Sequence, residues 1–186
     1  MDRLLGNSST LFGVSKMNIF VLDKEPINIP KHYCDVHLRK MILEYTQLLC
    51  TAVQTIKDER LDHLYKPTHI NHPCSIWVRS SSGNYGWLWE LLFYCHQEYE
   101  QRFKKIHKSK RLLHPLGNYI WDCKFPKKDL MPWPQVMPKK FKIPLWDVPG
   151  YFPWTINIDN TIEAYRNYYA YKLKEFRKRG ICKFTR

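Results

Sequence analysis

The feature that most constrains this chain is HYCDVHLRKMILEY at residues 32–45, which carries the period of a helix lying against a core. Leu38, Met41, Ile42, Tyr45, Leu48 and Leu49 recur three and four residues apart, and this spacing predicts a helix over about residues 35–54 with one apolar side. His37, Lys40, Glu44 and Gln47 form the neighbouring row. Side chains three, four and seven apart stack along a helix, so an imidazole, an ammonium and a carboxylate come together at the rim of the core. Such a stripe can move protons. A solvated face with one Lys-to-Glu pair fits the same residues.

Around that helix the chain can build one compact all-α domain. Its 186 residues are 44% apolar and include 7 Trp, 12 Tyr and 9 Phe, enough for a sizeable core and incompatible with disorder. Tyr85, Leu88, Leu92, Cys95, Tyr99 and Phe103 signal a second main helix over about residues 84–105. Ile162, Tyr165, Tyr169, Leu173 and Phe176 signal a third from about residue 159 to Gly180, with Asn160 and Glu163 as its capping box. The proline, serine and glycine content of residues 65–84 predicts loops and one short element. From residue 115 to 153, eight prolines together with Trp121, Trp133 and Trp146 predict a long Pro/Trp-rich loop wrapped over the core. Residues 1–16 have no helical period and read as a flexible leader, with Met17 an alternative start to a single domain over residues 17–186.

Thirty Lys and Arg against 17 Asp and Glu give a formal charge of +13, which favours an anionic partner. Nucleic acid comes first and a membrane surface second. No long apolar run is present and the N-terminal residues are too polar for a signal peptide, so the expectation is a cytoplasmic monomer that binds double-stranded DNA and no membrane. Arg39, Lys40, Arg79, Lys104, Lys105, Lys108, Lys110, Arg166 and Lys172 are the expected phosphate contacts. The basic run at residues 102–111 also suits a helix C-terminus. Tyr165, Tyr168 and Tyr169 interleave with cations on the last helix, a mixture that stacks on bases beside phosphates. His69 and His72 fit either the same cleft or the capping of backbone groups.

Six cysteines without a CxxC pair read as buried thiols of a reducing compartment. His32, Cys34, Asp35 and His37, and then His69, His72 and Cys74, are ligand types for zinc, but their spacing matches no zinc module. No metal and no cofactor is therefore expected. A metal-dependent nuclease or deaminase built on these clusters stands as an alternative. The chain has no Walker loop, dinucleotide fingerprint, GxSxG elbow or HExxH helix.

A short apolar segment starting at Met17 precedes Asp35-x-His37-Leu38, and Glu44 follows seven residues past that histidine. Pro67-Thr68 and the His72 segment lead into a long helix, and MPKKFKIPLWDVP at residues 137–149 places a proline-containing loop before the last one. Tyr165-Arg166-Asn167-Tyr168-Tyr169 makes an aromatic cluster near the C-terminus. In this order, over about residues 17–172, the motifs resemble those of the small phage and viral pyrimidine-dimer DNA glycosylases of the endonuclease V type.

The resemblance implies an all-helical DNA-repair enzyme that binds duplex DNA, flips a nucleotide out, and excises a damaged or modified pyrimidine, with or without a following lyase step that nicks the strand. In that family an N-terminal α-amine attacks the sugar C1′ to give an imine. Its reference pKa of about 7.7–8.0 leaves it partly unprotonated near neutrality, whereas an ordinary lysine at about 10.4 is almost wholly charged. Glu44 takes the place of the family's catalytic carboxylate, which stabilises the cationic sugar and shuttles protons. Here sixteen residues precede Met17, so the amine comes from a chain starting at Met17, from a leader that folds back, or from a lysine such as Lys40 whose pKa burial has lowered. Glu44, His37, Lys40 and Met17 are thus the candidate catalytic residues. A non-catalytic nucleic-acid-binding protein, in which Glu44 only pairs with Lys40, is the competing reading, and an enzyme that remodels hypermodified bases in the same flipping pocket is another.

Overall fold

The computed structural model describes residues 17–142 and 158–185. Among these the chain is all-α, with no strand. Its helices are α1 (Asp35–Lys57), α2 (Pro73–Arg79), α3 (Ser82–Phe103), α4 (Leu113–Asp122) and α5 (Ile158–Lys178), joined by coil and by single 3-10 turns at Pro26–Asn28, Pro30–His32, Lys108–Leu112 and Lys139–Phe141. The expected leader at residues 1–16, and the part of the Pro/Trp-rich loop that holds Trp146, lie outside the described residues.

The three long helices are those that the apolar period predicts. All six residues of the α1 stripe, from Leu38 to Leu49, are fully buried. Asp35 sits in the first turn of α1, where a carboxylate complements the helix dipole, and Asp58 in the left-handed conformation (φ 51°) ends the helix. The Ser81 side chain caps α3 by accepting from the Gly83 N–H, and Lys104 ends that helix as Asp58 ends α1. Asn160 lies inside the first turn of α5 and not at its cap, because the helix already begins at Ile158.

Two short helices add to that plan. Pro73 occupies the first turn of α2, and the His72 side chain accepts from the Cys74 N–H. α4 takes up the start of the stretch expected to be loop, because Pro115 falls in its first turn, where a proline needs no hydrogen-bonded N–H. α1 packs on both α2 and α3, and α4 packs on α3. One buried cluster collects residues from Met17 to Tyr169.

The segment from Met17 to Leu22 is buried in this cluster without being helix or strand. It has no ladder to satisfy its backbone, so side chains do so. Tyr33 Oη donates to the Phe20 carbonyl at 3.0 Å, Arg166 Nε to that of Leu22 at 2.8 Å, and Trp87 Nε1 to that of Lys24 at 3.2 Å. Arg102, also buried, ties down the turn that follows, donating to the carbonyls of Tyr33, Pro30 and Lys31 while pairing with Glu98 and Asp35. Asp35 in turn accepts from the Thr185 N–H and hydroxyl, which draws the C-terminal residues over the start of α1.

The described part of the Pro/Trp-rich loop is docked on the N-terminus of α3. The N–H groups of Ser82 and Gly83, which have no partner inside the helix, donate to the carbonyls of Lys127 and Lys128 at 3.0 and 2.9 Å. Asn84 Oδ1 accepts from the Met131 N–H at 2.6 Å, and Trp133 packs against Trp87. A Cβ at position 83 would stand 2.6–2.7 Å from backbone atoms of residues 128–130. Gly83→Ala is therefore expected to push the loop off and to destabilise by about 1–3 kcal/mol, read as a lower urea midpoint at unchanged m-value. An unchanged midpoint would mean that the loop does not dock as described.

Candidate active site

Glu44 stands two turns into α1 at the edge of the buried cluster, with its side chain only 9% exposed. Oε1 pairs with Lys40 Nζ at 2.8 Å, one helical turn back. Oε2 accepts from the backbone N–H of Asn18 at 3.3 Å. The carboxylate thus meets the apolar segment at its start, beside the buried Met17. Asn18 is itself pinned: its Nδ2 donates to the Val136 carbonyl at 2.7 Å, and its Oδ1 accepts from the Ile19 N–H at 2.8 Å and lies 3.2 Å from Tyr165 Oη.

Burial pushes the Glu44 carboxyl above its ordinary value, and the opposing pull of Lys40, of the Asn18 N–H and of Lys172 only partly offsets this. A carboxyl raised in this way exchanges protons closer to neutral pH, which suits a proton shuttle. Lys172 of α5 is half-buried, and its ammonium lies 5.6, 5.3 and 5.7 Å from the ring centres of Phe20, Tyr168 and Phe176. Burial lowers its pKa, the Lys40 charge lowers it further, and Glu44 partly compensates. Lys40, by contrast, keeps 54% of its side chain exposed, so the burial expected to activate it falls on Lys172 instead.

His37 is close by and differently employed. It is buried, its Nδ1 shares a hydrogen bond with Tyr169 Oη at 3.1 Å, and its ring stacks on Tyr169 and meets Phe20 edge-on. Burial, with Lys172 and Lys40 nearby, holds its pKa well below the usual value, so it is neutral at pH 7 and orients Tyr169. Tyr169 also accepts from the Cys34 N–H. Tyr165 is fully buried and donates to the Pro134 carbonyl. Both tyrosines lie on the apolar stripe of α5, so neither presents a face to a base. Tyr168 is buried too, stacked on Phe20 with centres 5.7 Å apart. From it an aromatic surface continues outward through Phe141 and Tyr171, with the exposed Lys140 over both rings.

The other expected site residues divide by environment. Lys104, Lys105 and Lys108 are exposed, and Arg39, also exposed, stacks over Phe103 at the start of that basic run. Lys110 pairs with Glu100, Arg79 donates to the Ile70 carbonyl, and Arg166 is held by Leu22 and Asp23. His69 bonds the neighbouring Thr68 hydroxyl from a left-handed backbone (φ 51°), while His72 caps α2, so both are engaged within their own loop and not with Glu44. Among the described residues no three His, Cys, Asp or Glu side chains are placed to hold a metal ion. The described cysteines are all unbridged, and all but Cys182 are buried. No described helix is long and apolar enough to cross a membrane.

The periodicity of α1 marks Glu44 and Lys40, but nothing local marks Asn18, Phe20, Lys140 or Phe141. Their placement depends on contacts between distant parts of the chain. Comparison with family models, curated proteins and solved structures finds no match to this chain.

The raised carboxyl of Glu44 has a consequence for stability. A group whose folded pKa lies above its unfolded one stabilises fully below the unfolded pKa, and that contribution disappears as pH rises through the folded value. Glu44→Gln keeps an acceptor for Asn18 without the buried charge. Its stability relative to the unsubstituted protein is expected to improve between about pH 4 and pH 8 in urea unfolding. A pH-independent difference would show that Glu44 titrates as an ordinary carboxylate.

Proposed function

We propose that this protein is a DNA base-excision enzyme of the pyrimidine-dimer glycosylase type, acting on a damaged or modified pyrimidine through nucleotide flipping and an imine. The observation that carries the reading is the contact of Glu44 Oε2 with the Asn18 nitrogen at 3.3 Å. It brings the start of the apolar segment to the carboxylate, and in the family that the motifs resemble this is where the nucleophilic amine stands. In the 186-residue chain that nitrogen is an amide, whose lone pair is tied up by resonance. The amine is therefore either a terminus generated at Met17 or Asn18 or a lysine facing Glu44.

The groups around Glu44 support this reading. Glu44 accepts a proton from the attacking amine and returns it as the imine forms and hydrolyses, and as an anion it stabilises the cationic sugar. The half-buried Phe141 and Tyr171, at the outer end of the rings that begin at Phe20, offer stacking for an extruded base. The +13 charge, with Lys104, Lys105 and Lys108 exposed, supplies phosphate affinity. A second reading, a nucleic-acid-binding protein without catalysis, is favoured by the two structural bonds that Glu44 makes to Lys40 and Asn18.

Incision of ultraviolet-irradiated and abasic duplexes separates the two. Glu44→Gln is expected to cut about 10²–10⁴-fold more slowly while binding duplex DNA as the unsubstituted protein does. Equal cutting by the variant, or no cutting of either duplex by the unsubstituted chain, overturns the catalytic reading. Affinity is expected to fall steeply between about 50 and 200 mM salt, and a flat response would sink the phosphate-binding assignment.

A further inference from the structure

We propose that Lys172 supplies the amine that forms the imine with the sugar C1′, and that Glu44 handles its protons. The proposal rests on the base-excision reading and deepens it by naming the nucleophile of the 186-residue chain.

The geometry favours this lysine over Lys40. Lys40 is engaged directly by the Glu44 carboxylate at 2.8 Å and leaves most of its stem in solvent. Lys172 is held by three ring faces, those of Phe20 in the buried segment and of Tyr168 and Phe176 on its own helix. Contacts of this kind restrict the side chain before substrate arrives, which favours attack in one geometry. The charged groups that bear on it are Lys40 and Glu44, both from α1, while neighbouring His37 stays neutral. Its lowered pKa fits this placement and increases the fraction carrying a lone pair at neutral pH. The rings also lead outward. Phe20 stacks on Tyr168, and Tyr168 meets Phe141, so a base stacked on the outer rings would have its sugar near the inner end where Nζ lies.

The step balances without a redox partner. The Nζ lone pair forms the N–C1′ bond as the glycosidic C1′–N bond breaks, and that electron pair leaves on the base, which takes up a proton. The proton lost from Nζ passes to Glu44 and on to the sugar O4′ as the ring opens to the imine. Removal of a C2′ proton then expels the 3′ phosphate, and water hydrolyses the imine to return the amine and an unsaturated aldehyde. At an abasic site the same amine condenses with the C1′ aldehyde and releases water. Borohydride supplies a hydride that fixes this imine as a secondary amine.

The test is borohydride trapping of the full chain on an abasic duplex, with the modified residue mapped by peptide mass spectrometry, alongside Lys172→Arg. The expected result is an adduct on Lys172, and a loss of trapping of about 100-fold or more in Lys172→Arg with salt-dependent DNA binding retained. Arginine keeps the charge that attracts phosphate but cannot form the imine, and the mapped site separates this loss from a loss of packing on the rings. An adduct mapped to an N-terminal amine or to another lysine overturns the role of Lys172 and leaves the base-excision reading standing. Cutting of damaged duplex without any adduct overturns the amine nucleophile as well. If the unsubstituted chain neither cuts nor is trapped, both the proposal and the reading under it fall. Mapping on the unsubstituted chain decides the question even if Lys172→Arg fails to fold.

Discussion

Everything around the site depends on how the chain buries the peptide groups of its first apolar segment. A stretch of coil in a helical core has neither a helix nor a ladder for its N–H and C=O groups, and each one left unpaired there costs about 1–3 kcal/mol. The partners come from the 3-10 turn before α1, and from α1 and α5: Tyr33 for the Phe20 carbonyl, Arg166 for that of Leu22 and Glu44 for the Asn18 N–H, while Trp87 of α3 holds the Lys24 carbonyl just past the segment. These four side chains fix the segment against three long helices at once. Glu44 is drawn into the core by this duty, and its burial then raises its pKa. Burial and the Asn18 bond act on this carboxyl in opposite directions, and burial prevails.

The same segment connects the site to the loop that follows α4. Asn18 Nδ2 holds the Val136 carbonyl, the Val136 N–H donates to Tyr165 Oη, and Tyr165 donates to the Pro134 carbonyl. At its other end the loop is anchored by carbonyls that answer the unpaired N–H groups of the first turn of α3. A displacement of the loop at Gly83 would therefore be felt at Asn18, and through Asn18 at Glu44. This is a mechanical link between the Pro/Trp-rich loop and the carboxylate, made of hydrogen bonds that can each be broken singly.

Much of the fold was legible in the sequence because α1, α3 and α5 each keep an uninterrupted apolar period. The Lys40–Glu44 pair was legible for the same reason, four residues being about one turn. The wider row with His37 was not a unit, and the cause is distance: seven residues rise about 10 Å along a helix, so aligned side chains at positions 37 and 44 still cannot touch. Each found a partner elsewhere, Tyr169 for His37 and Asn18 for Glu44. The tyrosines of α5 show the opposite trap. Tyr165 and Tyr169 carry two signals, an apolar period and an aromatic-cationic mixture, and burial follows the first. α4 is hidden in the sequence because Pro115 reads as a loop signal, whereas its place in the first turn permits helix.

What no local pattern could reveal is that Lys172 shares an environment with Glu44 and Lys40. Two ammonium groups and one carboxylate at the rim of a core carry a net positive charge, and like charges crowd there at a cost in stability. On the base-excision reading, an approaching phosphate would relieve that repulsion. The anionic backbone would neutralise the outer, half-exposed Lys40, while the inner Lys172, screened by rings, would meet the uncharged sugar. On the base-excision reading, a phosphate that drew Lys40 outward would weaken the pull that keeps Glu44 ionised.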